Sequence, residues 1–334
     1  MRKLFRMSLL LVIPALVQAQ PTPNQLGIRR WYAANKTGID TPLANASSAV
    51  AFDGAYLWIA HYVPSGTKLT KVRVSDGEKT EYTDGFGSYP VAIAFDGKNL
   101  WTANAYSDNV TKFDPSTGIT SNFPVGTEPR GIEFDGRYVW VANIRAKDYQ
   151  SLGGSSSVIK LDPITGSVVH EFRVGTGPRN VAFDGRYIWV ASFDDGSVTR
   201  IDANDDDDNH VLTTPSGSAP GAHGVAFDGE FMWATSWTSA KVMKLDRTTG
   251  NVLASYDVGG YPSWITFDGT YIWVSNSSSG TVAQLKVKNV DPVQVVGTYP
   301  VGTWPYGSAF DGANLWVVKA GGVGAGNPGS LSKL

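Results

Sequence analysis

The triplet Phe-Asp-Gly occurs seven times in this chain, starting at Phe52, Phe95, Phe134, Phe183, Phe227, Phe267 and Phe310. In every copy a tryptophan follows the phenylalanine by six residues: Trp58, Trp101, Trp140, Trp189, Trp233, Trp273 and Trp316. Successive copies start 43, 39, 49, 44, 40 and 43 residues apart. A unit repeated at this period cannot bury its apolar face alone and must stack on its neighbours, which confines the chain to a repeat architecture.

The inside of one unit says which architecture. Gly131 to Phe134 reads as a strand, Asp135-Gly136 as a tight hairpin turn, and Tyr138 to Asn143 as a second strand. Ser157 to Leu161 reads as a third strand, Asp162 to Gly166 as a turn, and Val168 to Val174 as a fourth. Second strands such as Tyr187-Ile188-Trp189-Val190-Ala191 are apolar without alternation, so both of their faces must be covered. Four antiparallel strands per unit, packed face to face around an axis, make a seven-bladed β-propeller. The repeated phenylalanines and tryptophans are its core, each buried ring contributing about 4–6 kcal/mol before entropy.

The ends bear on closure and destination. Arg2, Lys3 and Arg6, an apolar run from Met7 to Val17 and a Val17-Gln18-Ala19 cleavage site read as a secretory signal over residues 1–19, leaving 20–334 as one propeller domain. That run is too short for a membrane span, which needs about 20 residues. Cleavage moves the formal net charge from −2 to −5, an unfavourable balance for nucleic acid. With no cysteine, closure rests on packing rather than disulfides, and the expected location is periplasmic or secreted. The last unit has a third strand, Ser330 to Leu334, and no fourth. A strand at about 26–34, around Leu26-Gly27-Ile28-Arg29-Arg30-Trp31-Tyr32, is expected to complete it.

The runs Val110 to Gly118, Phe123-Pro124-Val125-Gly126, Pro129-Arg130-Gly131-Ile132 and Trp140-Val141-Ala142-Asn143 resemble the YVTN-type propeller repeat, and also those of the virginiamycin B lyase family and its NHL-type relatives. The resemblance spans nearly the whole mature chain. For activity, that family implies opening of a cyclic ester by elimination, with a histidine base, acidic residues and magnesium near the axis. Here four histidines and six glutamates form no paired His and Glu constellation in the repeats. No Trp-Asp dipeptide, nucleophile elbow, phosphate loop or zinc-ligand spacing occurs either.

Departures from the repeat are where function is sought. Four residues before each phenylalanine stand Ser48, Val91, Arg130, Arg179, His223, Ser263 and Tyr306, the expected mouth of the axial channel. Arg130, Arg179 and His223 offer a cationic side for a carboxylate or phosphate, while Trp264, Trp304 and Tyr306 offer an aromatic side for a sugar or ring. The leading expectation is thus an exported binding or scaffold module, with a small molecule, glycan, peptide or protein partner at the mouth. The alternative is a metal-dependent lyase or lactonase on a cyclic ester, with His223 or His61 as the candidate base. A second ring three residues after each tryptophan, His61, Asn104, Asn143, Ser192, Ser236, Asn276 and Lys319, reads mainly as loop-capping. The long third unit carries a basic, aromatic loop over 144–154. The run Asp205 to Asp208 reads as a solvated acidic turn on the opposite face, with calcium at Asp206 and Asp208 as the other reading. No cofactor is expected; magnesium or calcium stays open.

Overall fold

The computed structural model describes residues 39–43, 45–62, 69–145, 156–290, 292–320 and 328–334. Seven four-stranded antiparallel sheets follow one another in chain order. The third blade runs through Thr127–Phe134, Val139–Arg145, Ser157–Leu161 and Val168–Arg173, within a few residues of the sequence reading. One hydrophobic cluster lies at each junction between consecutive blades, including one between the seventh and the first, built on Leu43, Val50, Ile59, Trp316, Val318 and Leu331. No helix among the described residues is long and apolar enough to cross a membrane.

The repeated triplet makes one hydrogen-bonded device. The glycine holds φ between 92° and 100° in all seven copies, a region open to glycine and closed to most side chains. One oxygen of the aspartate accepts the two amides that follow the turn, and the other accepts the indole N–H of the buried tryptophan. The indole distances are 2.6 Å to Asp53, 2.7 Å to Asp96, 2.7 Å to Asp135, 2.9 Å to Asp184, 2.8 Å to Asp228, 2.7 Å to Asp268 and 2.6 Å to Asp311. A large apolar ring is thereby sunk into the blade interface with its one polar atom satisfied. The phenylalanines, by contrast, are half-buried at the strand ends and pack against the edges of the clusters; the tryptophans are the true centre. A cation from the third strand lies over the ring in several blades, as Lys112 over Trp101 at 5.4 Å and Lys333 over Trp316 at 5.3 Å.

Closure comes from an N-terminal strand, but at a different place from the sequence pattern. Ile39–Pro42 pairs with Ser330–Lys333 as the fourth strand of the seventh blade, in the register Thr41 to Leu331. The strand reaches its first inner strand, Ser47–Phe52, through a linker as short as those between other blades, which is why it lies nearer the first triplet than 26–34. Its terminal proline is tolerated because the strand is an outer edge with no further ladder to donate to. The Lys79 ammonium of the first blade donates to the Pro42 carbonyl across the seam. Residues 1–19 and 26–34, and most of the long loop of the third blade, lie outside the described residues.

The acidic run lies at the surface, as the sequence reading has it, and its carboxylates find basic partners. Asp206 pairs with the buried Lys160 of the third blade at 2.8 Å, Asp208 with His170 at 3.0 Å and Asp205 with His210 at 2.5 Å. The short fourth strand of this blade, Leu212–Thr213, leaves the turn free to fold back on its neighbour, and the run acts as a clamp between blades three and four.

Two outcomes follow. Asp228→Ala should cost about 3 kcal/mol, since a buried indole N–H and two turn amides lose their acceptor; Asp228→Asn, which keeps one acceptor oxygen, should cost less, and denaturant titration of the two variants reads the order. Removing residues 39–42 should lower the melting temperature and promote aggregation by exposing the edge at Ser330–Lys333, whereas an unchanged melting curve would show that the seam contributes nothing.

Candidate functional site

Each inner strand slips register against the second strand at the same point, so that every blade carries a β-bulge at one end of the wheel. The slips fall between Ser47 and Ala49, Pro90 and Ala92, Pro129 and Gly131, Pro178 and Asn180, Ala222 and Val225, Pro262 and Ile265, and Pro305 and Ser308. The bulged residues are the column Ser48, Val91, Arg130, Arg179, His223, Ser263 and Tyr306. Bulging breaks the alternation of the pleat and re-aims these side chains.

They divide by role. Ser48 and Ser263 knit blades together: Ser48 Oγ donates to the Pro90 carbonyl at 2.7 Å and Ser263 Oγ to the Pro305 carbonyl at 3.4 Å. Arg130, Arg179, His223 and Tyr306 form one electrostatic cluster, in which the two arginines act on the ionisation of both His223 and Tyr306. Burial, and next the charge of Arg179, hold the Arg130 guanidinium below its usual value, while Tyr306, Tyr62 and Tyr89 act the other way. Arg130 pairs with Glu128; Arg179 lies over the Phe193 ring at 5.1 Å, and among the described residues no carboxylate pairs with it. The Nε atoms of both arginines are buried without a hydrogen-bond partner. Two like charges held together with unfilled donors form a standing demand for an anion.

His223 is 8 % exposed, and burial, with Arg179 next, pushes its pKa down to about 3. Its Nδ1 lies 3.1 Å from the Ser263 carbonyl. A carbonyl only accepts, so Nδ1 carries the proton and Nε2 is left as a lone-pair acceptor in a neutral ring. Burial raises the Tyr306 hydroxyl above the usual phenol value, against the pull of Arg179 and Arg130, so it stays protonated as a donor. Aromatic groups surround the cluster: His223 meets Tyr306 edge-on at 5.9 Å and stacks on Trp237 at 5.3 Å.

Other sequence candidates lie apart. Trp264 is half-buried on the bulge beside Ser263, and among the described residues no ring contact or hydrogen bond joins it to the cluster. His61 is fully buried, with Nδ1 3.3 Å from Ser47 Oγ and Nε2 2.6 Å from Thr70 Oγ1, which makes it a cross-strand tie. Of the rest of its ring, Asn276 donates to the Val258 carbonyl at 2.7 Å and Lys319 to the Val301 carbonyl at 2.6 Å, while Ser192 Oγ is buried without a hydrogen-bond partner. Among the described residues no three His, Asp or Glu side chains gather as metal ligands do, and the cationic mouth does not fit magnesium.

One group was missed. Immediately before the phenylalanines stand Ala51, Ala94, Glu133, Ala182, Ala226, Thr266 and Ala309. Glu133 alone is ionisable, a departure as plain as the arginines three positions earlier in the repeat. Burial pushes its carboxyl up to about 7, although the side chain keeps some accessible surface.

No protein-family model matches the chain, and no curated protein matches it. Solved structures do. Streptogramin B lyase superposes with a TM-score of 0.69 at 16 % identity, over 89 % of this chain and 98 % of that one. U3-55K gives 0.73 at 14 % over 88 % and 98 %, and Kuenenia stuttgartiensis hydrazine synthase gives 0.64 at 19 % over 89 % and 97 %. Likeness at such identities shows the β-propeller fold, which hosts unrelated activities.

The Glu133 shift has a sign. The folded protein binds this proton more tightly than the unfolded chain, so the residue's contribution to stability falls as pH climbs from about 4.5 to about 7 and stays low above. Glu133→Gln should therefore raise the melting temperature at pH 8 and leave it nearly unchanged at pH 4; equal effects at both would refute the shift.

Proposed function

We propose that this chain is an exported propeller that binds a small anionic ligand, a carboxylate or a phosphate, at the axial mouth. The single observation that carries the reading is the pair of buried Nε donors on Arg130 and Arg179, unfilled within the protein. A guanidinium presents parallel N–H groups to an oxyanion, and the two bulges set two such forks on neighbouring blades. Neutral His223 adds an acceptor and Tyr306 a donor, so a ligand hydroxyl beside the anion also finds partners. Export rests on the signal-like residues 1–19.

A lyase or lactonase is the second reading, favoured by the likeness to streptogramin B lyase over 98 % of that chain. Two features weigh against it. A general base works best with a pKa near the operating pH, and the pKa of His223 is pushed down to about 3. Its one mapped hydrogen bond goes to a backbone carbonyl rather than to an orienting carboxylate.

The test is titration with a panel of small carboxylates and phosphate monoesters, followed by tryptophan fluorescence, for which Trp237 stacked on His223 is a nearby reporter. At least one anion should bind, and Arg130→Ala/Arg179→Ala should lose about 2–3 kcal/mol of that affinity, tens to a hundred fold. A double variant that binds every anion as the parent does would end the proposal.

A further inference from the structure

The residue leading into the inner strand holds positive φ in six blades: Tyr89 at 65°, Glu128 at 55°, Gly177 at 68°, Gly221 at 66°, Tyr261 at 56° and Trp304 at 52°. In five of them its carbonyl accepts the amide four residues beyond the buried tryptophan, from Ala105 at 2.9 Å, Phe193 at 2.9 Å, Trp237 at 3.1 Å, Ser277 at 2.9 Å and Ala320 at 3.1 Å. The left-handed conformation recurs at this joint, where glycine adopts it without strain, although Ala46 of the first blade accepts the same amide, from Tyr62 at 2.9 Å, without it. Three blades carry a large aromatic there instead, at a steric cost.

Tyr89 and Tyr261 take part in a crest over the mouth. Tyr106 stacks on Tyr89 at 3.8 Å and 2°, and Tyr89 meets Tyr62 at 3.8 Å. On the far side Tyr306, His223, Trp237 and Tyr261 follow in contact, the last two stacked at 4.9 Å and 4°. The crest thus has two arms, one on the first and second blades and the other on the fifth to the seventh, with the arginines on the blades between. The three exposed aromatic side chains among the described residues, Tyr62, Tyr106 and Tyr261, all belong to it, at 41, 63 and 45 % exposure.

Charge and shape select the occupant. Asp108, Glu128 and Asp195 stand in the loops around the two arginines, holding loop amides or, for Glu128, Arg130 itself. A polymer charged at every unit, such as a nucleic acid, would meet them with repulsion, whereas one charge at the axis escapes it. An extended peptide seeks a free strand edge, and in this wheel the free edges are the outer strands at the circumference. What remains is a run of neutral rings bearing one acid, whose ring faces stack on flat aromatics.

Resting on the axial anion site proposed above, we infer that the ligand is an oligosaccharide with a single acidic sugar. Its carboxylate lies between Arg130 and Arg179, and the neutral sugars to either side lie along the tyrosine and tryptophan crest.

The experiment pairs an array of acidic and neutral glycans with calorimetric titration of glucuronate alone, using the whole mature chain and its Tyr106→Ala and Tyr261→Gly variants. Wild type should retain glycans with one uronate or sialate flanked by neutral sugars above neutral glycans, polyuronates and single-stranded DNA. Each tyrosine variant should weaken those glycans about three- to tenfold, with an unchanged affinity for glucuronate and a melting temperature near that of wild type. Retention of no acidic glycan, or of polyuronate or DNA equally well, overturns the inference, as do tyrosine variants that hold the glycans like wild type. If glucuronate and the other small anions also fail to bind wild type, the axial site itself falls; if they bind and only the glycans fail, it stands without the crest.

Discussion

The bond between the triplet aspartate and the tryptophan indole is what the rest of the molecule depends on. Sinking seven indoles into blade interfaces stabilises the wheel only if each N–H keeps a partner, because an unpaired buried donor would offset much of what burial contributes. The same carboxylate organises the turn that aims the tryptophan strand, so turn geometry and core packing are one event. Asp184 shows the balance of terms: burial pushes its carboxyl up, yet Arg247, the turn amides and the Trp189 indole together hold it below the usual value.

Rigidity at the interfaces lets the inner strands depart from regular geometry at the mouth. A bulge in every blade would weaken an isolated hairpin; here each bulged strand is gripped by the neighbouring blade, through Ser48 and Ser263 in two cases. Apart from those two serines, the bulged positions carry valine, arginine, histidine and tyrosine, and His223 in turn donates to the Ser263 carbonyl of the next blade. The positive-φ aromatics follow the same logic one residue further out. The strain of the positive-φ aromatics and the unfilled Nε donors of Arg130 and Arg179 lie together at the bulged ends of the inner strands because the wheel holds them there.

Much of this was legible in the residues. The triplet spacing specified seven blades, and alignment on the phenylalanine picked out the column that proved to be bulged. Glu133, three positions after the arginine column, was equally readable as the one ionisable residue of its own column. The closing strand was drawn to 26–34 by its apolar and aromatic residues, whereas position in the ring depends on linker length. The Asp205 to Asp208 run was legible as an exposed acidic turn, whereas the partners of Asp206 and Asp208, Lys160 and His170, come from another blade and were not.

What the sequence by itself determined is the repeat: which residues turn, which are buried, and that the units must close on one another, since these rest on local periodicity and on composition. Only the tertiary structure decided which departures from the repeat meet. Arg130, Arg179, His223 and Tyr306 come from blades three, four, five and seven, up to 176 residues apart in the chain, and their neutral or charged states depend on one another's fields and on shared burial. Those quantities exist only once the ring is closed, because field and desolvation are properties of distance in space and not of order along the chain.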